Sequence, residues 1–196
     1  MSNQPPIEVP QGAIRLNTDS QRLEFFAQDR WYEFATDSPI LDGGARGVSQ
    51  PSTPSTNALD FVNIASQGNA QDFGDAQTKA GGRHGAASRT RGLFAGGGTP
   101  GRVNAIEFIT FSSTGNGQNF GDLTQVGAGG GQMGMSNQTR GVFAGRTTPG
   151  NSNTIDFVTI ASEGDAVDFG DQGNTQGGMN CFSSPTRGVM GGAHPA

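Results

Sequence analysis

The amino-acid sequence predicts an all-β protein: three tandem four-stranded repeats, propeller- or prism-like, preceded by a small β-meander. Three observations predict it. Glycine fills 33 of 196 positions, more than twice the ordinary share of about 7%. Glycine disfavours helix interiors and permits positive φ, so turns should be frequent. Three markers also recur in constant order with a period of roughly 47 residues, the signature of a repeat architecture. Finally, the longest apolar runs place hydrophobic residues on both faces of a strand, which then needs cover on both sides.

The markers define the elements. Arg-Gly occurs at Arg46, Arg91, Arg140 and Arg187, at spacings of 45, 49 and 47. An acidic-Phe-aliphatic core follows, at Asp60-Phe61-Val62, Glu107-Phe108-Ile109 and Asp156-Phe157-Val158. Then comes Phe-Gly-Asp, beginning at Phe73, Phe120 and Phe169. The six phenylalanines Phe61, Phe108, Phe157, Phe73, Phe120 and Phe169 are the expected repeat core. Short apolar runs between glycines, such as Gly92 to Ala95 and Gly141 to Ala144, read as buried strands. Ala58 to Ile64, Ala105 to Phe111 and Thr154 to Ile160 read as longer strands apolar on both faces. A turn and a short Phe-Gly-Asp strand follow each. Gly127 to Met135 and Gly177 to Phe182 read as last strands of small residues. The run Thr186 to Gly192 is a surplus strand, expected to close the ring within its own chain or with a neighbour. Three blades fall below the usual propeller range of about four to eight.

The first forty residues lack the repeat. Gly12 to Asn17, Leu23 to Phe26 and Trp31 to Phe34 read as strands, with turns at Thr18 to Gln21 and Gln28 to Arg30. The expected division is 1–42 for this meander and 43–196 for the repeats. A meander this small is marginal alone. It also holds the chain's single Trp and single Tyr. Ile14, Leu16, Phe25, Phe26, Trp31, Tyr32 and Phe34 are therefore its candidate assembly residues.

Charge is sparse, 15% of residues with a net charge of −5, so no basic footprint for nucleic acid exists. The Arg83, His84, Arg89 and Arg91 cluster reads as loop decoration. Only 32% of residues are hydrophobic, yet they recur in register, which argues against disorder. One cysteine, Cys181, allows no internal disulfide. No apolar run reaches bilayer length, so membrane insertion is not expected. Met1 to Pro6 has no basic region followed by an apolar stretch, so no secretory leader is expected.

No catalytic, cofactor or metal site is expected. Asp72-Phe73-Gly74 and Asp168-Phe169-Gly170 spell the kinase metal-binding tripeptide, but Asn119 replaces the acid in the middle copy and no kinase lysine or catalytic loop accompanies it. Asp168 and Asp171 are hard oxygen ligands suited to calcium, yet they read better as turn caps. His84, His194 and Cys181 do not form a converging set. The loop Gly96 to Gly101 lacks the lysine of a phosphate cradle. Asn137-Gln138-Thr139 matches a glycosylation sequon, which means little without a leader.

The strand ending Ala95-Gly96-Gly97 or Val189-Met190-Gly191-Gly192, followed by an acidic-Phe-aliphatic core, resembles glycine-rich Kelch-like propeller repeats. Thr139 to Gly145, Ile155 to Ser162 and Asp168 to Asp171 together look like repeats in virion structural proteins of tailed phages, marine and cyanobacterial ones in particular. Gly12 to Asp19, Leu23 to Phe25 and Trp31 to Glu33 are similar to a short module of phage fibre and tail-associated proteins. The resemblance implies a non-enzymatic, outward-facing virion component, assembled in the host cytoplasm. Its implied partners are other tail or capsid proteins and further copies of itself, a trimer before other states, with a host-surface glycan as a candidate contact. The alternatives are a capsid decoration protein and a lectin-like carbohydrate-binding module.

Overall fold

The computed structural model describes residues 9–18, 22–34, 46–51, 56–98, 100–127, 133–146, 150, 152–174 and 180–191. The chain divides into two compact units, Met1–Pro39 and Ile40–Ala196. All regular structure among the described residues is antiparallel β. No helix among them is long and apolar enough to cross a membrane.

The first unit is one three-stranded sheet: β1 (Ile14–Asn17), β2 (Arg22–Ala27) and β3 (Arg30–Glu33), in that spatial order. Gln28 and Asp29 join β2 to β3 with φ of 48° and 59°. Two positive φ values in a two-residue loop match the right-handed twist of the flanking strands. Of the other turn, Thr18 to Gln21, residues 19–21 lie outside the described residues.

The second unit opens with β4 (Arg46–Ser49), β5 (Ala58–Asn63) and β6 (Gln71–Asp75), a three-stranded sheet in that order. A four-stranded sheet follows: β7 (His84–Ala87), β8 (Arg91–Ala95), β9 (Val103–Thr110) and β10 (Gln118–Gly127). The next sheet repeats its order with β11 (Met133–Ser136), β12 (Arg140–Arg146), β13 (Ser152–Thr159) and β14 (Val167–Asp171). Last comes a hairpin of β15 (Asn180–Ser183) and β16 (Gly188–Gly191). We number these four sheets 1 to 4.

The Arg-Gly strand follows its small-residue strand through one kind of turn. Ser88, Asn137 and Ser184 each open it, accepting a backbone hydrogen bond from the arginine of the marker: Arg91 at 3.2 Å, Arg140 at 2.8 Å and Arg187 at 3.1 Å. The pattern Ser/Asn-x-Thr-Arg-Gly is thus a hairpin code, in which a short side chain replaces a backbone acceptor. This is also the work of Asn137, read above as a sequon.

Several expectations need correcting. Among the described residues no closed barrel or propeller is detected: β16 pairs with β15, and β5 is held by β4 and β6. Sheet 1 has three strands among the described residues and sheet 4 has two. Gly127 ends β10 instead of opening the next strand, because two register irregularities let β10 follow β9 to Val103. Residues 128–132, 177–179 and 192, assigned above to strands, lie outside the described residues, as do Met1 to Pro6, Thr99 and His194.

The core is spread along the array. Ile106, Phe108, Phe120, Val158 and Ile160 lie in one buried cluster spanning sheets 2 and 3, and Leu59, Phe73 and Ile109 in another spanning sheets 1 and 2. Within each sheet the two marker phenylalanines meet edge to face: Phe61 with Phe73, Phe108 with Phe120 and Phe157 with Phe169, centroids 6.0, 6.1 and 5.8 Å apart. Such pairs add about 1 kcal/mol each beyond the area they bury.

Candidate assembly faces

In the first unit, alternation separates the two faces of the sheet. The register sets Ile14 opposite Phe25 and Leu16 opposite Leu23, with Phe25 opposite Tyr32. Ile14, Leu16, Leu23, Phe25, Tyr32 and Phe34 therefore share one side. Phe25 stacks on Tyr32 at 5.5 Å and meets Phe34 at 5.1 Å. Ile14 and Leu16 remain 63% and 61% exposed, and Leu23 and Phe34 are exposed too. The other side is polar and tied together. Glu24 accepts hydrogen bonds from Arg15 at 2.7 Å and Asn17 at 2.9 Å, which hold its carboxyl below the usual range, the Asn17 bond first. Arg15 also lies over the Trp31 ring, which meets Phe26 edge to face. The seven candidate assembly residues thus divide: Phe26 and Trp31 belong to the polar side, the other five to the apolar side. Leu23 belongs with those five and was missed, although its place in the alternation with Phe25 marks it.

In the second unit, the joint between consecutive sheets is built twice in the same way. The outer edge of β6 receives the turn after β9: the Gly115 amide donates to the Phe73 carbonyl at 2.7 Å and the Gly117 amide to the Asp75 carbonyl at 2.8 Å. The outer edge of β10 receives the turn after β13, Gly164 to Phe120 and Ala166 to Asp122, both 2.8 Å. A side-chain oxygen in each turn accepts from the aspartate amide of the marker, Asn116 from Asp75 and Asp165 from Asp122. Glycine is required in Phe-Gly-Asp by this approach. A Cβ on Gly74 would lie 2.5 Å from the Gly115 carbonyl oxygen, and one on Gly121 would lie 2.3 Å from that of Gly164. Their φ values of 142° and 152° also disfavour other residues.

Two charged groups cross each joint. The acid of the core marker receives backbone amides from the preceding sheet: Glu107 from Gln77 and Thr78 at 2.8 and 2.9 Å, Asp156 from Thr124 at 3.2 Å. The Arg-Gly arginine reaches forward to a carbonyl of the following sheet, Arg46 to Phe111 and Arg91 to Ile160. Each lies over the marker phenylalanine of its own sheet, 4.9 and 4.5 Å from the ring centroid. Arg140 likewise lies over Phe157.

Arg83 corrects the loop-decoration reading. Its side chain and that of Glu107 are each 2% exposed, paired at 3.0 Å. Its second terminal nitrogen donates to the Phe94 and Ala105 carbonyls. Burial pulls the guanidinium below its usual range, and Glu107 opposes that pull. Neighbouring His84 is pushed down to about 4 by burial alone, and its Nε2 has no hydrogen-bond partner. The Cys181 thiol donates to the Gly134 carbonyl at 3.0 Å, and burial raises its pKa. Asp168 caps its own marker through the Gly170 amide at 2.9 Å. Among the described residues no three His, Cys, Asp or Glu side chains gather as a metal site.

A groove of about 210 Å³ opens beside sheet 3. Arg140, Val142, Ile155 and Phe169 line one part, and Ser183 to Gly188 with Met190 line the rest. Phe169 corrects the repeat-core expectation: Phe73 and Phe120 are each 2% exposed, whereas Phe169 is 54% exposed. It keeps its ring partner Phe157 but, among the described residues, has no following turn laid across its edge.

No protein-family model matches the chain, and comparison with curated proteins finds no relative.

Proposed function

We propose that this chain is a non-enzymatic structural protein of a tailed-phage virion, a tail fibre or tail-associated component. The meander is its attachment element. The repeat unit, read as three tandem copies of one propeller-type sheet, is its outward body, placed to meet a host-surface glycan. The observation that carries the reading is the apolar side of the meander: Ile14, Leu16, Leu23 and Phe34 form an exposed hydrophobic face on a sheet too small to cover it. Exposed apolar surface of this kind marks an interaction site. The virion setting rests on the resemblance of the module and repeat motifs to those of phage structural proteins.

The test is localisation on particles. Antibody-gold labelling of purified particles from cells producing this protein is expected to decorate the tail. Label spread over the capsid lattice would replace the tail role with capsid decoration, and particles without the protein would sink both. Within the particle, the double substitution Leu16→Lys and Leu23→Lys is expected to cut incorporation at least tenfold. It leaves the Arg15–Glu24–Asn17 side intact, so unchanged incorporation would rule out attachment through this face.

A further inference from the structure

Sheet 3 presents, uncovered, the groups that sheets 1 and 2 use to hold the sheet after them. Sheet 1 presents, uncovered, the groups that sheets 2 and 3 use to hold the sheet before them. On the leading side, Phe169 is 54% exposed where Phe73 and Phe120 are buried. A Cβ on Gly170 would meet nothing within 4 Å, whereas one on Gly74 or Gly121 would strike the next turn. Arg140 is exposed and has the ring contact but, among the described residues, not the forward carbonyl that Arg46 and Arg91 reach. On the trailing side, Ile64 is 71% exposed, although its equivalent Ile160 is 1% exposed inside the array. The Asp60 carboxylate accepts no hydrogen bond among the described residues, while its equivalents Glu107 and Asp156 both do. The turn Gly68-Asn69-Ala70 is exposed, whereas its equivalents at Gly115 and Gly164 are bonded to a neighbouring strand.

We propose that these two ends recognise each other between chains: the β14 face of one copy receives the Ile64–Ala70 turn of the next, in a head-to-tail contact. The occupant is a second copy because the contact continues one already built twice within the chain. The repeat register specifies its atoms. The Gly68 amide donates to the Phe169 carbonyl and the Ala70 amide to the Asp171 carbonyl. Asn69 Oδ1 accepts from the Asp171 amide, and Asp60 accepts from the Gly173 amide. Arg140 reaches the Ile64 carbonyl, and the Ile64 side chain covers Phe169. Unpaired strand edges are ready templates for such pairing.

The groove beside sheet 3, which Phe169 lines, takes the arriving Ile64 side chain. Hairpin β15–β16 already supplies the first half of the sheet that the arriving β5 and β6 complete, stacked on Met135, Ala144 and Ile155 through Cys181 and Met190. Both copies bring an Arg-Gly strand to the joined sheet, β16 from one and β4 from the next. One of them is displaced, and the sheet then has the four-strand order of sheets 2 and 3. A heterologous contact of this kind generates a ring if its rotation closes and a filament if it does not.

The virion role is not a premise of this inference: a chain that associates in solution but enters no particle keeps the inference and sinks that role. The experiment measures the mass of the full chain by sedimentation velocity over a hundredfold range of concentration. The wild type is expected to grow beyond one chain as concentration rises. Phe169→Asp blocks the leading end and Ile64→Asp the trailing end, so each variant alone is expected to remain a single chain. An equimolar mixture of the two is expected to form a dimer and nothing larger, because one compatible pair of ends remains. Circular dichroism should match the wild type for both, with melting of Phe169→Asp lowered only by the loss of its ring pair with Phe157; Arg140→Glu serves as a second leading-end block if Phe169→Asp does not fold. Three results would overturn the proposal: a wild type that stays a single chain throughout, association that persists in both single variants, or a mixture that forms no dimer. In the first case, earlier melting of both variants would show that the ends close within one chain.

Discussion

Phe120 and Phe169 occupy the same place in the same motif, each edge-on to its marker partner, yet one is 2% and the other 54% exposed. The same holds for Ile160 against Ile64, and for Glu107 against Asp60. Little local separates the members of a pair: the residue types are equal or similar and the sheet registers correspond, with Arg83 beside Glu107 as an added partner. What differs is whether a complete sheet follows or precedes, since among the described residues sheet 3 is followed only by the β15–β16 hairpin. A solenoid-like array gains its stability at the joints between units, so the cost of a substitution should depend on which side of a joint it falls. That dependence can be measured.

The largest contrast is expected at the acidic position. Glu107→Ala removes the partner of a guanidinium that is 2% exposed and the acceptor of two amides from sheet 1. Leaving a buried charge unpaired costs about 3–5 kcal/mol. Asp60→Ala removes a carboxylate with no such duties and should fall within about 0.5 kcal/mol of wild type. Urea unfolding at a dilution where chains do not associate checks both. Because Arg83 flanks β7 in the same sheet as Glu107, Asp156→Ala isolates the joint: a loss there no larger than at Asp60 would mean that the acid stabilises its own sheet, not the joint.

Next comes the marker glycine. Gly121→Ala places a Cβ 2.3 Å from a backbone carbonyl oxygen and must force the two sheets apart. The expected cost is about 3 kcal/mol, combining overpacking with backbone strain. Gly170→Ala meets no atom and bears the strain of its 135° φ alone, about 1 kcal/mol. The same unfolding curves read the difference, and a deficit at Gly170 as large as at Gly121 would break the comparison.

The contrast also marks how far the sequence is legible. The strands could be read because apolar runs between glycines leave few other conformations open, and the period could be read because three markers share it. The apolar side of the meander was legible from alternation, since Ile14, Leu16, Phe25 and Tyr32 fall in step once the hairpin register is set. The joints were not. Arg83 looked like a surface residue because its cluster is Gly-rich and polar. Its burial depends on Glu107, 24 positions away in the chain and in no local pattern with it. The work of the Arg-Gly arginine was hidden for a like reason: its carbonyl partner lies 65 or 69 positions ahead, at Phe111 or Ile160. Among the described residues the surplus strand does not complete sheet 1 of its own chain, since β5 is already held by β4 and β6. Composition and period report what repeats; they do not report which repeat lacks a neighbour.

The smallest of these effects compares two interior positions that differ in chemistry. His84 and Met133 are equivalent: each opens the small-residue strand of its sheet, opposite Ala95 and Ala144 respectively. Met133 is buried and apolar, whereas His84 carries an imidazole whose Nε2 has no partner. Burial lowers the folded-state pKa of His84 from 6.5 to about 4. Between these values the unfolded chain binds a proton that the folded chain refuses, so stability rises with pH across the window. The contribution is complete above pH 6.5 and is lost as pH falls toward 4. Allowing for partial solvent access, the loss at pH 4 is on the order of 2 kcal/mol. His84→Met gives this position the side chain its equivalent already has and should remove that part of the acid sensitivity. The difference between the unfolding free energies of the two proteins, measured from pH 7 to pH 4, should shift in favour of His84→Met as pH falls, because only the wild type carries the histidine penalty. Parallel curves would mean that His84 is protonated in the folded state as readily as in the unfolded one, and that this joint is more open to water than its burial indicates.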